Sequence, residues 1–221
     1  MINLEVLQAI NLATRIYDGI NREGSGLPYI THSFSVFLIV KDYSDDINTQ
    51  IAALFHDFFK KEIPKPYDGN PGKVYDYSDL VLMIGIPAAR LVDEISHYRN
   101  PKSGALLDWR SSKYEALHDF HRLSPEAKVI FAANQIHNLF SLVEDYKNTK
   151  TKIWEIFGAS EELMAVYYSD IMQLFAAYLR HPIIQVYYEI FREACQLFDW
   201  AEIYEKGTSE LIWAEKLRPS V

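Results

Sequence analysis

The sequence predicts an all-α protein folded as a single domain of about ten helices, and three observations carry that reading. Glycine and proline number only nine each in 221 residues, so chain-breaking punctuation is sparse. Apolar residues recur at three- and four-residue steps in most segments. No stretch alternates apolar and polar as a half-buried strand does, and there is no repeat, low-complexity tract or linker. The length lies within the ~250 residues that one core reaches before it splits.

Ile2, Val6, Ala9, Ile10, Ala13 and Ile16 share one helical face, and Asp18-Gly19 supplies a glycine stop. A loop from Asn21 to Gly26 leads to Pro28 and a second apolar helix through Val40. The third helix runs from about Asp46 to Lys61 and must end before Pro64, whose ring and missing N–H break a helix. Pro64 to Ser78, with prolines at 64, 66 and 71 and glycines at 69 and 72, is the one long irregular stretch. Helices resume near Asp79–Ile84, Pro87–His97 and Asp108–His121. Ser124-Pro125-Glu126 joins an N-cap, an N1 proline and an acidic first turn, and opens a helix through about Tyr146. The aromatic remainder, about 150–216, is helical with breaks at Gly158, His181-Pro182 and Gly207.

Composition narrows the function. At 49% hydrophobic residues the chain has ample material for a core, so disorder is not its main state. Twenty-two Lys and Arg against 30 Asp and Glu leave a net charge of -8, which argues against nucleic acid as a partner but not against a local basic pocket. A lone cysteine, Cys195, excludes a disulfide framework and a cysteine-based zinc site. No run of roughly 18 apolar residues is present for a membrane span, and Met1-Ile2-Asn3-Leu4-Glu5 lacks the basic start of a signal peptide. The expectation is a soluble cytoplasmic protein that binds neither membrane nor nucleic acid; a homo-oligomer is compatible with this composition.

Two helices carry polar residues where apolar ones belong. Ala52, Ala53, Phe55, Phe58 and Phe59 make the third helix apolar nearly all round, so it should be central, with His56 and Asp57 as interior walls. A buried carboxylate needs a cation, donors or a metal. Taken alone, the pair reads more readily as a satisfied core His–Asp contact than as a ligand set. The Ala127–Val143 segment repeats the anomaly: Asn134, His137, Asn138 and Ser141, at i, i+3, i+4 and i+7, form one polar stripe on a buried rod. An interhelical hydrogen-bond network explains it as well as a binding site does. His32, in the first turn of an apolar helix, is a third isolated polar group.

In chain order these residues are Arg22, Pro28-Tyr29-Ile30-Thr31-His32, His56-Asp57 and Asn134-Gln135-Ile136-His137-Asn138. The set resembles the HD superfamily of metal-dependent phosphohydrolases, and more narrowly the hydrolase domain of RelA/SpoT-type enzymes. That family shows R-K-x-G-x-P-Y-x-x-H, then H-D-x-x-E-D, then K-x-A-D-x-x-H-N. The resemblance covers about 9–145, with about 150–216 as a helical C-terminal part of the same domain; Gly85 to Val92 also matches a family helix, G-x-x-x-A-x-x-V. A second His-Asp pair, His118-Asp119, lacks the surrounding motif and reads as a surface accident.

The resemblance implies a divalent ion, usually Mn²⁺, held by two His and two Asp, that activates water and polarises a phosphoryl oxygen. It makes His32, His56 and Asp57 metal ligands and gives the fourth position to Asn134, where the family has Asp. An amide oxygen removes one negative charge from the cage, so metal should bind weakly or not at all. Other departures follow. The acid pair that positions and deprotonates the water is replaced by Lys60-Lys61, which leaves the catalytic residues unassigned; a substrate-facing Lys is Phe131; and the R-K pair is Arg22-Glu23. Arg22 and Asn138 keep positions that contact the nucleotide in the family.

Lys60 and Lys61 admit several readings. On a continuous helix they lie i+4 from His56 and Asp57, so Lys61 either pairs with Asp57 or joins Lys60 in holding phosphate. They also suit a helix C-terminus, a contribution of ~0.3–1 kcal/mol. The functional expectation is an HD-type pocket for a nucleotide or other phosphate ligand, served by Arg22, Lys60, Lys61 and Asn138, with hydrolysis lost or weakened. The alternatives are an active Mn²⁺-dependent phosphohydrolase acting on a guanosine polyphosphate or related nucleotide, and a non-catalytic structural or partner-binding protein.

Overall fold

A computed structural model describes residues 3–22, 24–60, 75–96, 109–150 and 152–200. Asn3 opens α1 (Leu4–Ile16), its side-chain oxygen accepting from the Glu5 and Val6 amides. The next two helices are α2 (Ile30–Tyr43) and α3 (Ile47–Leu54), the latter capped by Asp46. An Asp76–Asp79 capping box opens α4 (Tyr77–Ile84); Gly85, at φ 80, turns the chain directly into α5 (Ile86–Glu94). Then come α6 (Trp109–Asp119), a 3₁₀ turn (Phe120–Arg122) and the 25-residue α7 (Pro125–Thr149). The chain continues through α8 (Lys152–Phe157), α9 (Glu161–Tyr178) and α10 (Ile184–Phe198). Among the described residues there is no strand; an isolated bridge joins Asn21 to Pro28.

The all-α expectation is met, and the predicted breaks fall where local chemistry placed them. Ser124 caps α7 by accepting from the Ala127 amide, Gly158 takes φ 62 after α8, and Pro182 precedes α10. One expectation needs correcting. The third helix ends at Leu54, not near Lys61, because the next amides reach back three residues instead of four: Phe55 to Ala52, Phe58 to Phe55 and Lys60 to Asp57, at 2.8–3.0 Å. His56 and Asp57 therefore sit on a tight turn, and the helical i+4 relation of Lys60 to His56 does not hold. Lys61, most of the Pro64–Ser78 stretch and the Gly207 break lie outside the described residues.

The spine is α7, against which α2, α3, α5, α8 and α10 pack. Phe131 on α7 meets Phe120, which meets Phe175 of α9, with centroids 5.1 and 5.5 Å apart. Towards its C-terminal end, Tyr146 packs edge-on against Phe198, and Trp154 and Trp200 close that second aromatic cluster. The middle of α7 thus has hydrophobic anchors on both sides. Among the described residues, no helix is long and apolar enough to cross a membrane.

Candidate functional site

Three buried side chains from two separate elements converge beside α7. His32 comes from the first turn of α2, and His56 and Asp57 from the turn after α3; they are 1%, 2% and 4% exposed. Coordinating atoms of all three lie within 4.8 Å of one another. His32 Nε2 is 2.9 Å from His56 Nε2 and 3.8 Å from Asp57 Oδ2, which lies 3.5 Å from His56 Nε2.

The surroundings aim these atoms. His56 Nδ1 donates to the Ala53 carbonyl at 2.8 Å, so its Nε2 carries the lone pair that faces the other two residues. Tyr29, the residue before α2, donates its hydroxyl to Asp57 Oδ2. Lys60 is exposed, and its ammonium lies 5.7 Å from the Tyr29 ring centre. The proposed Asp57–Lys61 contact lies outside the described residues.

The α7 stripe faces this cluster. His137 Nδ1 lies 2.8 Å from His32 Nδ1, with Ser141 Oγ 3.4 Å from the same His137 atom. Asn134 Oδ1, the oxygen expected to complete a metal cage, accepts from Asn138 Nδ2 at 2.8 Å. Burial holds the His32 pKa well below the usual imidazole value, and the nearby charges of His56, Arg22, His137 and Lys60 push the same way. Burial, with Arg22 and His56, lowers His137 to about 4. Both rings are neutral near pH 7, the form in which imidazole binds a metal.

Arg22 belongs to a tight loop closed by hydrogen bonds from its amide to Leu27 O and from Tyr29 N to Ile20 O, at 2.8 and 2.7 Å. Its charge is felt at His32, at His137 and at Asp145 of α7, where it opposes the upward push of burial on the carboxyl. Gly24, at φ 89, lets the loop approach: a Cβ there would lie 2.8 Å from Asp145 Oδ2.

A cavity of about 40 Å³ opens beside His56, walled by residues of α6, α7 and α9. Its walls include His56, Ser112, Lys113, Phe131, Asn134, Gln135 and Tyr167. The Lys113 ammonium lies 5.1 Å from the Tyr167 ring centre, and the Tyr167 hydroxyl donates to Gln135 Oε1 at 3.1 Å. Sequence reasoning passed over Lys113. The available signal was its spacing, three and four residues before the buried Ala116 and Leu117, which puts it on the inward side of α6. His118 and Asp119 lie at the surface, bonded to each other at 3.1 Å, with Arg122 on Asp119.

Two imidazole nitrogens and one carboxylate oxygen gathered within 4.8 Å form a donor set that suits a divalent cation through His32, His56 and Asp57. Asn134 is near enough to share a cavity with His56, but its oxygen is already engaged. Of the four expected ligands, three are gathered.

No family model and no curated protein matches the chain. Solved structures do. One, reported as a metazoan ortholog of SpoT that hydrolyzes ppGpp and plays a role in starvation responses, aligns with a TM-score of 0.66 at 20% identity, covering 88% of this chain and 97% of that one. A protein of Listeria monocytogenes EGD-e aligns with a TM-score of 0.58 at 18% identity, covering 76% of this chain and 99% of that one. The chain has a fold like that of the SpoT ortholog, as its motif order implied.

Proposed function

We propose that this chain is a phosphate- or nucleotide-binding protein on a SpoT-like fold, in which metal-dependent hydrolysis is lost or strongly weakened. The observation that carries the reading is at position 134, where the amide oxygen accepts from Asn138 and brings no charge to the cage. Three donors remain for Mn²⁺ or another divalent ion, so weak binding is expected. The positions that carry the acid pair in the resembling family hold Lys60 and Lys61, and a charged ammonium cannot take a proton from water. Cations suit a polyanionic ligand instead: Lys60 stands over Tyr29, and the charge of Arg22 is felt at His32 and His137. With Lys61 and Asn138 they make up the proposed ligand-binding set. The similar metazoan protein makes guanosine tetraphosphate the first ligand to try. Half-buried Cys195, the sole cysteine, fits a reducing cytoplasmic setting.

The gathered His32–His56–Asp57 cluster favours a second reading, an active Mn²⁺-dependent phosphohydrolase. Pyrophosphate release from guanosine tetraphosphate with Mn²⁺ separates the two. The first reading expects no measurable turnover, together with a nucleotide-induced rise in melting temperature in EDTA. Turnover in the ordinary range of ~1–10³ s⁻¹ would install the second. A flat thermal response to nucleotides, with or without Mn²⁺, would remove both in favour of a structural or partner-binding role.

A further inference from the structure

The C-terminal end of α6 gathers a second set of metal-ligating side chains, at the surface. Glu115, His118 and Asp119 stand at i, i+3 and i+4, so all three project from one face of the helix. Each offers a ligand atom within 4.8 Å of those of the other two. His118 Nδ1 lies 3.1 Å from Asp119 Oδ1. Two donors bonded to one ion at ~2.1 Å stand roughly 3.0–3.4 Å apart, so this pair already has the spacing of two ligands on a single cation. Glu115 has to close in, which a rotamer change of a partly exposed side chain accomplishes. The central donor is an imidazole, and that separates the set from an ordinary acidic patch. A nitrogen ligand favours Zn²⁺, Ni²⁺ or Cu²⁺ over Mg²⁺ and Ca²⁺, which take oxygen.

The imidazoles at this end of α6 are held by their neighbours. The Tyr114 ring stacks on His118, with centroids 5.9 Å apart and planes 12° apart. His121, in the 3₁₀ turn, donates Nδ1–H to the His118 carbonyl at 2.9 Å, which puts its lone pair on Nε2. Its ring centre is 6.4 Å from that of His118 and 6.1 Å from that of Tyr178 on α9. A second imidazole therefore borders the set, suited to the fourth position of a tetrahedral ion. The competitor is Arg122, whose guanidinium lies 3.4 Å from Asp119 Oδ1 with its side chain 68% exposed. An exposed pair of this kind adds little stability, so a divalent ion displaces it readily. An ion seated between His118 and Asp119 takes the place of the proton they share, and the imidazole keeps its hydrogen on Nε2.

We infer that Glu115, His118 and Asp119 form a second divalent-metal site, selective for a Zn²⁺-class ion, with His121 beside it and water completing the coordination. The inference is independent of the phosphate-ligand reading and of the buried His32–His56–Asp57 set.

The test follows the imidazole resonances of the full chain by nitrogen-15 spectroscopy during titration with Zn²⁺ and, separately, with Mg²⁺. His118 should shift saturably with Zn²⁺ and stay in place with Mg²⁺. Because the signals are specific to each residue, this site stays distinct from the buried cluster, and the wild type suffices. Calorimetry adds a second readout: His118→Gln, at an exposed position, should lose one Zn²⁺ from the binding stoichiometry. Glu115→Gln should weaken the same site by about tenfold. An unmoved His118 at saturating Zn²⁺, or an unchanged stoichiometry in folded His118→Gln, would overturn the site. So would an equal response to Mg²⁺, which would reduce it to a general attraction of cations by acidic side chains.

Discussion

The Nδ1 atoms of His32 and His137 lie 2.8 Å apart, so one ring must donate there and the other accept. His56 fixes which. Its Nδ1 is committed to the Ala53 carbonyl, which leaves Nε2 to accept from His32 Nε2–H; His32 Nδ1 must then accept from His137. A cation on His32 Nε2 would expel that proton and reverse the order, making His32 the Nδ1–H donor to His137. Nitrogen-15 imidazole spectra without metal and with diamagnetic Zn²⁺ should show His32 switching from Nε2–H to Nδ1–H. A ring that holds Nδ1–H in both states contradicts this proton order.

The same two rings set a pH dependence. His32 and His137 have depressed folded-state pKa values, His137 near 4, whereas an unfolded histidine titrates near 6.5. Below pH 6.5 the unfolded chain binds more protons, so this stability is complete above 6.5 and is lost as pH falls towards the folded values. Each ring contributes about 1.4 kcal/mol per pH unit in that window, so unfolding free energy should drop by about 1–3 kcal/mol from pH 7.5 to 5.5. Urea titrations at the two pH values measure it, and His137→Gln should remove part of the drop. Equal or greater stability at pH 5.5 would show that the rings are not held neutral.

Asn134→Asp restores a charge where a divalent ion would need it, and Asn138 can donate to a carboxylate as it does to the amide. Calorimetric titration with Mn²⁺ should show affinity rising by about tenfold or more over the wild type. Tight wild-type binding that the substitution leaves unimproved would mean that three ligands suffice.

Gly24→Ala should cost about 1–3 kcal/mol, since φ 89 disfavours any side chain and the new Cβ meets Asp145 Oδ2 at 2.8 Å. Because the same loop carries Arg22, nucleotide-induced stabilisation should fall with it. Gly26→Ala, with nothing within 4 Å of its Cβ, carries the backbone term alone and serves as the control for the Asp145 contact. Equal losses in the two variants, measured by urea unfolding, would show that this contact is immaterial.

Much of the helical frame was legible because α1, α7 and the breaks at Gly158 and Pro182 depend on local spacing and caps. The end of α3 was not. From Ile51 to Phe58 each residue is buried, so periodicity cannot tell a continuing helix from a tightening turn. At the site, motif order found His32, His56 and Asp57, which do converge, and the α7 stripe, which does face them. What spacing alone could not supply was pairing: that Tyr29 holds Asp57, that Asn138 holds the Asn134 oxygen, and that Lys113 enters from a helix without any motif.

His56 belongs to the metal-type cluster and also lines the Lys113 cavity. Whatever occupies either place changes the potential felt at the other. A cation and an oxyanion placed there would each raise the other's affinity by the same factor, because coupling between two equilibria is reciprocal. A metal titration run in phosphate buffer and one run without it would then report two different constants for one protein.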